Sequence, residues 1–268
     1  MRLNNILRIA LLSFKEGLRQ KVIYGVSCFG LIMAAATYAF IPFIGFDICR
    51  VVIDFMLMAV SAGCLMIIFF LCLPGLVNDI REQTVYFVLS SPVSREEYIL
   101  GRFLGFSMIL FVALVILNVP ALLMVKLYII KYPGYVPLHF GWHKLLLASF
   151  FKFYAALVFL SFVFLVWSIM ESGVLVSIAS IIAYLIGQNI NTVKDIAMNS
   201  KTMGITAKNL ISLVSWIFPN LGYFNLNTYA AYGVNLPEHY LSKIFVYGFS
   251  YMGVAIVITM FFFKRRDL

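Results

Sequence analysis

Apolar residues run along the chain in six long blocks separated by short polar stretches. A helix needs roughly 20 apolar residues to cross about 30 Å of hydrocarbon, so each block predicts one span. The spans are expected near 22–46, 51–77, 100–126, 145–169, 173–190 and 243–263. Span 2 contains Asp54 and Pro74, span 3 contains Pro120, and span 4 carries Lys152 in its first half. Ahead of them, residues 1–20 alternate in another way. Leu3, Leu7, Ala10, Phe14 and Leu18 recur at helical spacing, with Arg2, Asn5, Arg8, Lys15, Glu16 and Arg19 between them. That pattern predicts an amphipathic helix lying on the membrane, rather than an extension of span 1. The same charges interrupt any apolar core of signal-peptide length, so no cleavable leader is expected here.

Composition sharpens this picture. Of 268 residues, 63% are hydrophobic and 12% charged, and the mean hydropathy is +1.00. Soluble domains have roughly 45–50% apolar and about 25% charged residues, which excludes an ordinary water-soluble enzyme. Disorder, which needs low hydrophobicity and high charge, is excluded too. The expected fold is an all-α polytopic membrane protein of six transmembrane helices, a single transmembrane domain over 1–268. The net charge of +9 fits basic residues facing anionic headgroups, and no basic stripe of the kind that binds nucleic acid is present. An even number of spans puts both termini on one side. The N-terminal basic cluster and Lys264-Arg265-Arg266 flank spans 1 and 6, and these charges favour the cytoplasmic side of a prokaryotic inner membrane. The segment 191–242 is then external, with a short amphipathic or re-entrant helix at 207–218 ended by Pro219-Asn220.

The cytoplasmic segment 78–99 between spans 2 and 3 is the most informative. Residues 78–90 fit a helix with Ile80, Val85, Phe87, Val88 and Leu89 against protein or lipid, and with Asp79, Arg81 and Glu82 toward water. Ser91-Pro92 breaks it, since proline cannot continue a helix and restricts its predecessor. Ser94-Arg95-Glu96-Glu97 then reads as a capping box that starts a new helix running into span 3. The sequence thus specifies helix, rigid break, helix. This is either a well-capped connector or a docking element, and its length and ordering signals favour docking.

In the stretch Phe87–Gly105 the text reads FVLSSPVSREEYILGRFLG. It resembles permeases of the type-2 ABC transporter family, the six-span membrane subunits that pair with a separate ATPase. The resemblance is carried by Glu82, Thr84, Leu89, Ser90, Pro92, Val93, Ser94, Arg95, Tyr98, Leu100, Gly101, Phe103 and Gly105. Pro219-Asn220, Phe224-Asn225 and the terminal Phe263–Leu268 add to it. Gln83 departs from the pattern, where many relatives carry glycine. The resemblance implies a coupling helix docked in a groove of a cytoplasmic ABC ATPase, present in two copies. Its contacts would be Asp79, Arg81, Glu82, Thr84, Tyr86 and Arg95, with Glu171 at the other cytoplasmic turn. It also implies a second permease chain, identical or a paralogue, meeting this one through spans 1, 2 and 5. ATP and Mg²⁺ would sit on the partner, and this chain is expected to bind no cofactor itself. Consistent with that division, the sequence has no Gly-x-x-x-x-Gly-Lys phosphate loop.

The remaining polar residues fall into three groups. Asp54 lies about one turn from Arg50, and an interfacial Asp–Arg pair is the simplest expectation. Lys152 is expected to snorkel outward along its stem. His139 and His143 share metal-like spacing, but no third ligand is adjacent and Gly141 intervenes, so no metal site is expected. Cys28, Cys49, Cys64 and Cys72 lie in or beside apolar runs and read as small buried hydrophobes. Pro74 and Pro120 are expected to kink their spans. No catalytic set emerges. A membrane-embedded lipid-modifying enzyme and a membrane anchor of an assembly remain the alternatives to a permease.

Overall fold

A computed structural model of the chain describes residues 3–40, 43, 47–81, 94–137, 140–170, 172–199, 205–234 and 236–265. Among these residues the structure is all helical, with no strand. The helices are α1 (Leu3–Arg19), α2 (Val22–Phe40), α3 (Ile48–Ile67), α4 (Leu73–Arg81), α5 (Arg95–Lys131) and α6 (Trp142–Ile169). They are followed by α7 (Gly173–Asn199), α8 (Ile205–Ile217), α9 (Asn227–Tyr232) and α10 (Tyr240–Arg265). Six helical stretches are long and apolar enough to cross a membrane: α2, the α3–α4 stretch, α5, α6, α7 and α10. The chain is therefore a multi-pass membrane protein with six candidate spans.

The bundle is built around α6. About 72% of its most apolar window is buried, against 22–28% for α2, α7 and α10. Phe159, Phe164 and Trp167 are fully enclosed. The three outer helices expose large apolar side chains such as Leu31, Leu185 and Phe249, as helices solvated by hydrocarbon do.

Span 2 is one continuous helical run with a π-helical turn, Ile68–Cys72, between α3 and α4. Pro74 explains its place. Proline supplies no N–H and crowds the carbonyl four residues back, and a wider turn just before it relieves both problems. Pro120, by contrast, sits inside an α5 that runs on to Lys131.

α1 also packs against the bundle through part of its surface. It is helical and amphipathic as the pattern requires, but its buried stripe is Ile6, Ile9, Ala10, Ser13 and Gly17. Leu3, Leu7 and Leu18 are exposed. The small residues turn toward α5, where Gly101 and Gly105 let the two backbones close up. A Cβ on Gly101 would lie 2.6 Å from Ile9 Cβ, and one on Gly105 would lie 2.8 Å from the Ala10 carbonyl oxygen. In a membrane, association rests on such close packing, because lipid tails are as apolar as leucine and give no hydrophobic drive. At 37 residues, α5 is about 55 Å long. That exceeds the hydrocarbon thickness, and its first turns are free to receive α1 near the interface.

Span 5 reaches Asn199 rather than ending at 190. Gln188 and Asn189, at the expected end of the span, and Asn191 just past it each find a partner. Gln188 Nε2 donates to Tyr184 Oη (3.0 Å), Asn189 Nδ2 donates to the Leu185 carbonyl (2.9 Å), and Asn191 Oδ1 accepts from Asn220 Nδ2. The expected short helix is present as α8, packed on α7. The Pro219-Asn220 turn then fastens the hairpin to span 6, where Tyr247 Oη accepts from Asn220 N at 2.9 Å.

Candidate functional site

α4 stops at Arg81 and α5 starts at Arg95. Glu82, Thr84 and Tyr86, which fall between them, lie outside the described residues, as do Glu171, His139 and the side chain of Arg81. The frame that holds both ends of this segment is fully described.

On the leading side stands Asp79. The sequence pattern turned it toward water, but it is buried, 5% exposed. Tyr98 Oη donates to its Oδ2 at 2.5 Å, and Arg102 Nε donates to the same oxygen at 2.7 Å. Arg102 Nη2 donates to Oδ1, completing a two-pronged ion pair. Arg102 Nη1 reaches the other way, to Ser13 Oγ at 3.0 Å and Glu16 Oε2 at 2.9 Å. One guanidinium therefore joins α1, α4 and α5. The planar fork of arginine suits this geometry, since it can serve a carboxylate bidentately while another edge bonds elsewhere. The correction to Asp79 has a simple cause. Its cation, Arg102, sits on the next span, beyond the range of local pattern reading.

On the trailing side the expected capping box is present. Ser94 Oγ accepts from Glu97 N, and Glu97 Oε2 accepts from Ser94 N, both at 3.2 Å. Glu97 Oε2 also accepts from Asn5 Nδ2 at 3.2 Å, a second link to α1. Arg95 Nη1 donates to the carbonyls of Phe263 (3.1 Å) and Lys264 (3.0 Å). These are last-turn carbonyls of α10, and a cation is favoured at such a helix end. Arg95 thus closes the end of span 6, a role that its sequence neighbours do not reveal. The Phe263 ring stacks on Trp167 at 5.1 Å, and Trp167 Nε1 donates to the Leu76 carbonyl at 2.8 Å.

Both ends of segment 82–93 are therefore fixed to one block made of α1, α4, the start of α5 and the ends of α6 and α10. The block also brings α1 and the C-terminal end of α10 to the same end of the bundle, as an even number of spans requires. Sequence reading missed Tyr98, Arg102, Ser13, Glu16 and Trp167 as a set. The available signal was Arg102 itself, an ionisable residue inside a predicted span, flanked by glycines at four-residue spacing.

At the opposite end the structure gathers a second polar group. Asp54 is not paired with Arg50, which instead bonds Asp47 at 2.8 Å across one turn. The Asn227 side chain and Lys152 both lie within electrostatic reach of Asp54. Lys152 does not snorkel free. Its Nζ donates to Asn225 Oδ1 at 2.8 Å. These residues line a cavity of about 370 Å³ between α3, α6, α7 and the turn before α9. His143 is exposed in the first turn of α6, and no three metal-ligating side chains converge among the described residues.

No family model matches the sequence, and no curated protein matches it.

Proposed function

We propose that this chain is the membrane-spanning permease subunit of an ATP-binding cassette exporter, working as a dimer with two copies of a separate cytoplasmic ATPase. The observation that carries the proposal is the mounting of segment 82–93: its leading end is held by the buried Asp79–Arg102 ion pair and its trailing end by the Ser94–Glu97 cap. A connector needs only to cover the distance. A transmitter needs stiff ends, and Asp79–Arg102 and the Ser94 cap supply them. The text of the segment, with its resemblance to type-2 permeases, supports the same reading.

In this scheme Arg81, Glu82, Thr84 and Tyr86 meet the ATPase, and Glu171 makes a second contact from the neighbouring turn. Asp79 and Arg95 act behind them, as anchors that pass the movement into spans 2, 3 and 6. Charged residues at the contact fix register and partner choice. The end bearing both termini faces the cytoplasm of a prokaryotic cell. The second permease, a copy or a paralogue, meets this chain through spans 1, 2 and 5.

The test is a tagged pull-down from membranes in mild detergent, with mass spectrometry of the bound proteins. Recovery of an ATPase carrying a Gly-x-x-x-x-Gly-Lys loop supports the proposal. A clean preparation without one, repeated after crosslinking in the membrane, transfers the weight to a lipid-modifying enzyme or an anchor.

A further inference from the structure

From the cavity around Asp54 and Lys152 we infer a binding site for a zwitterionic amphiphile, whose head carries a primary ammonium beside an acidic group. Calling such a ligand the cargo rests on the permease reading; the existence of the site does not.

The first argument is electrostatic. A carboxylate and an ammonium inside a membrane protein are costly and are normally brought together. Elsewhere in this chain opposite charges do meet: Asp79 and Glu16 close on Arg102, and Asp47 closes on Arg50. Asp54 and Lys152 share one cavity and feel each other's charge, yet they form no ion pair among the described residues. Lys152 is held by Asn225 instead, and Asn227 lines the cavity with Asp54. Asp54 stands on α3 and Lys152 on α6, two different walls of the cavity. A head of the reverse polarity, ammonium toward Asp54 and acid toward Lys152, completes both.

Unused hydrogen-bonding capacity points the same way. Asn225 Oδ1 already accepts from Lys152 Nζ and from the Asn227 backbone N–H at 3.3 Å. Asn227 Oδ1 is a buried acceptor with no partner among the described residues. A buried acceptor without a donor is unfavourable, and this one sits beside the Asp54 carboxylate. Two acceptors side by side suit an N–H-bearing cation better than a quaternary one. The ammonium of Lys152 has three donors, and one of them serves Asn225.

The wall gives the orientation. Asp54, Met58, Ala62 and Leu65 follow one another down the cavity side of α3. Asp54 is six residues from the start of α3, about 9 Å along the axis. The charged end thus lies near the membrane surface opposite the termini, and the apolar wall leads toward the midplane. Phe55 and Met58, 43% and 63% exposed, border an opening on the side of the bundle. A head in the charged end with its hydrocarbon tail along Met58 and Leu65 matches this gradient. Ethanolamine phospholipids and alkylated amino acids share that chemistry.

The test is native mass spectrometry of the full chain in detergent. Lysophosphatidylethanolamine and S-hexadecylcysteine are each titrated against lysophosphatidylcholine and lysophosphatidylglycerol. We expect about tenfold preference for a primary-ammonium zwitterion over both competitors, the scale of one charge-assisted hydrogen bond. Which of the two zwitterions binds more tightly identifies the source of the head. Asp54→Asn and Lys152→Met should each erase the preference while leaving the elution volume and melting temperature of the protein near wild type. Met58→Trp, which fills the tail path and leaves both charges, should weaken all binding. Equal binding of the four probes, or a preference that survives both charge substitutions, overturns the site. So does a Met58→Cys variant that crosslinks to a second copy and excludes the probes, because the cavity is then filled by protein. The ATPase pull-down reads the permease assignment whatever these titrations return.

Discussion

Arg102 holds both carboxylate oxygens of Asp79 from a neighbouring span, and it does so where both residues are nearly sealed from solvent. The pair ties span 2 directly to span 3, so the joint between them is set by an ion pair as well as by the connecting chain.

Removing one partner should be much worse than removing both. Arg102→Met leaves Asp79 buried and uncompensated, and Asp79→Leu does the same to Arg102. Each should lower stability by about 3–5 kcal/mol, whereas the paired apolar replacement should recover most of the loss. Thermal melts in a fixed detergent check this. A double-variant loss equal to the sum of the two single losses would mean that the two residues do not act together.

Tyr98→Phe removes one donor to the Asp79 carboxylate while keeping the ring against Phe263, 6.3 Å away. A loss of about 1.5–3 kcal/mol is expected, the range for hydrogen bonds to charged groups. A melting temperature equal to wild type would show that the hydroxyl is dispensable.

Gly105→Val should push α1 away from α5, since the first added carbon already meets the Ala10 carbonyl oxygen and Ser13 Cβ. Overpacking of this kind costs about 1–3 kcal/mol. A short bis-maleimide should crosslink cysteines introduced by Asn5→Cys and Glu97→Cys when Gly105 is kept, and crosslink them less when Gly105→Val is added. Gly25→Ala, where nothing lies within 4 Å, should have no effect on either readout.

Charge reversal at the proposed contact should separate coupling from folding. Arg81→Glu with Glu82→Arg is expected to abolish co-purification of the ATPase while the melting temperature stays close to wild type. If the doubly reversed protein retains its ATPase at full yield, the contact lies elsewhere.

Arg95→Ala should act on the far end of the chain. It strips the Phe263 and Lys264 carbonyls of this donor, so amide exchange in the last turn of α10 should speed up while the middle of that helix is unchanged. Uniform exchange along α10 would remove Arg95 from the role of end-cap.

Much of this architecture is written locally. Six apolar runs suffice for six spans, because in hydrocarbon a run of that length can satisfy its backbone only as a helix. The Ser94–Glu97 box was legible because both partners sit within one turn, and the Pro219-Asn220 turn because proline and asparagine punctuate locally. The facing of α1 was not legible: Leu3 and Ala10 both belong to the apolar stripe, and only the glycines of α5 decide which of them is covered. The same holds for Asp79, Asp54 and Lys152. Their nearest neighbours in sequence favoured water, Arg50 and the membrane surface, and each found its partner on a different element. Local spacing determines helices, caps and breaks, since those bonds close within a few residues. Tertiary packing decides which charges are buried together and which are held apart, because that choice depends on residues brought close only by the folded bundle.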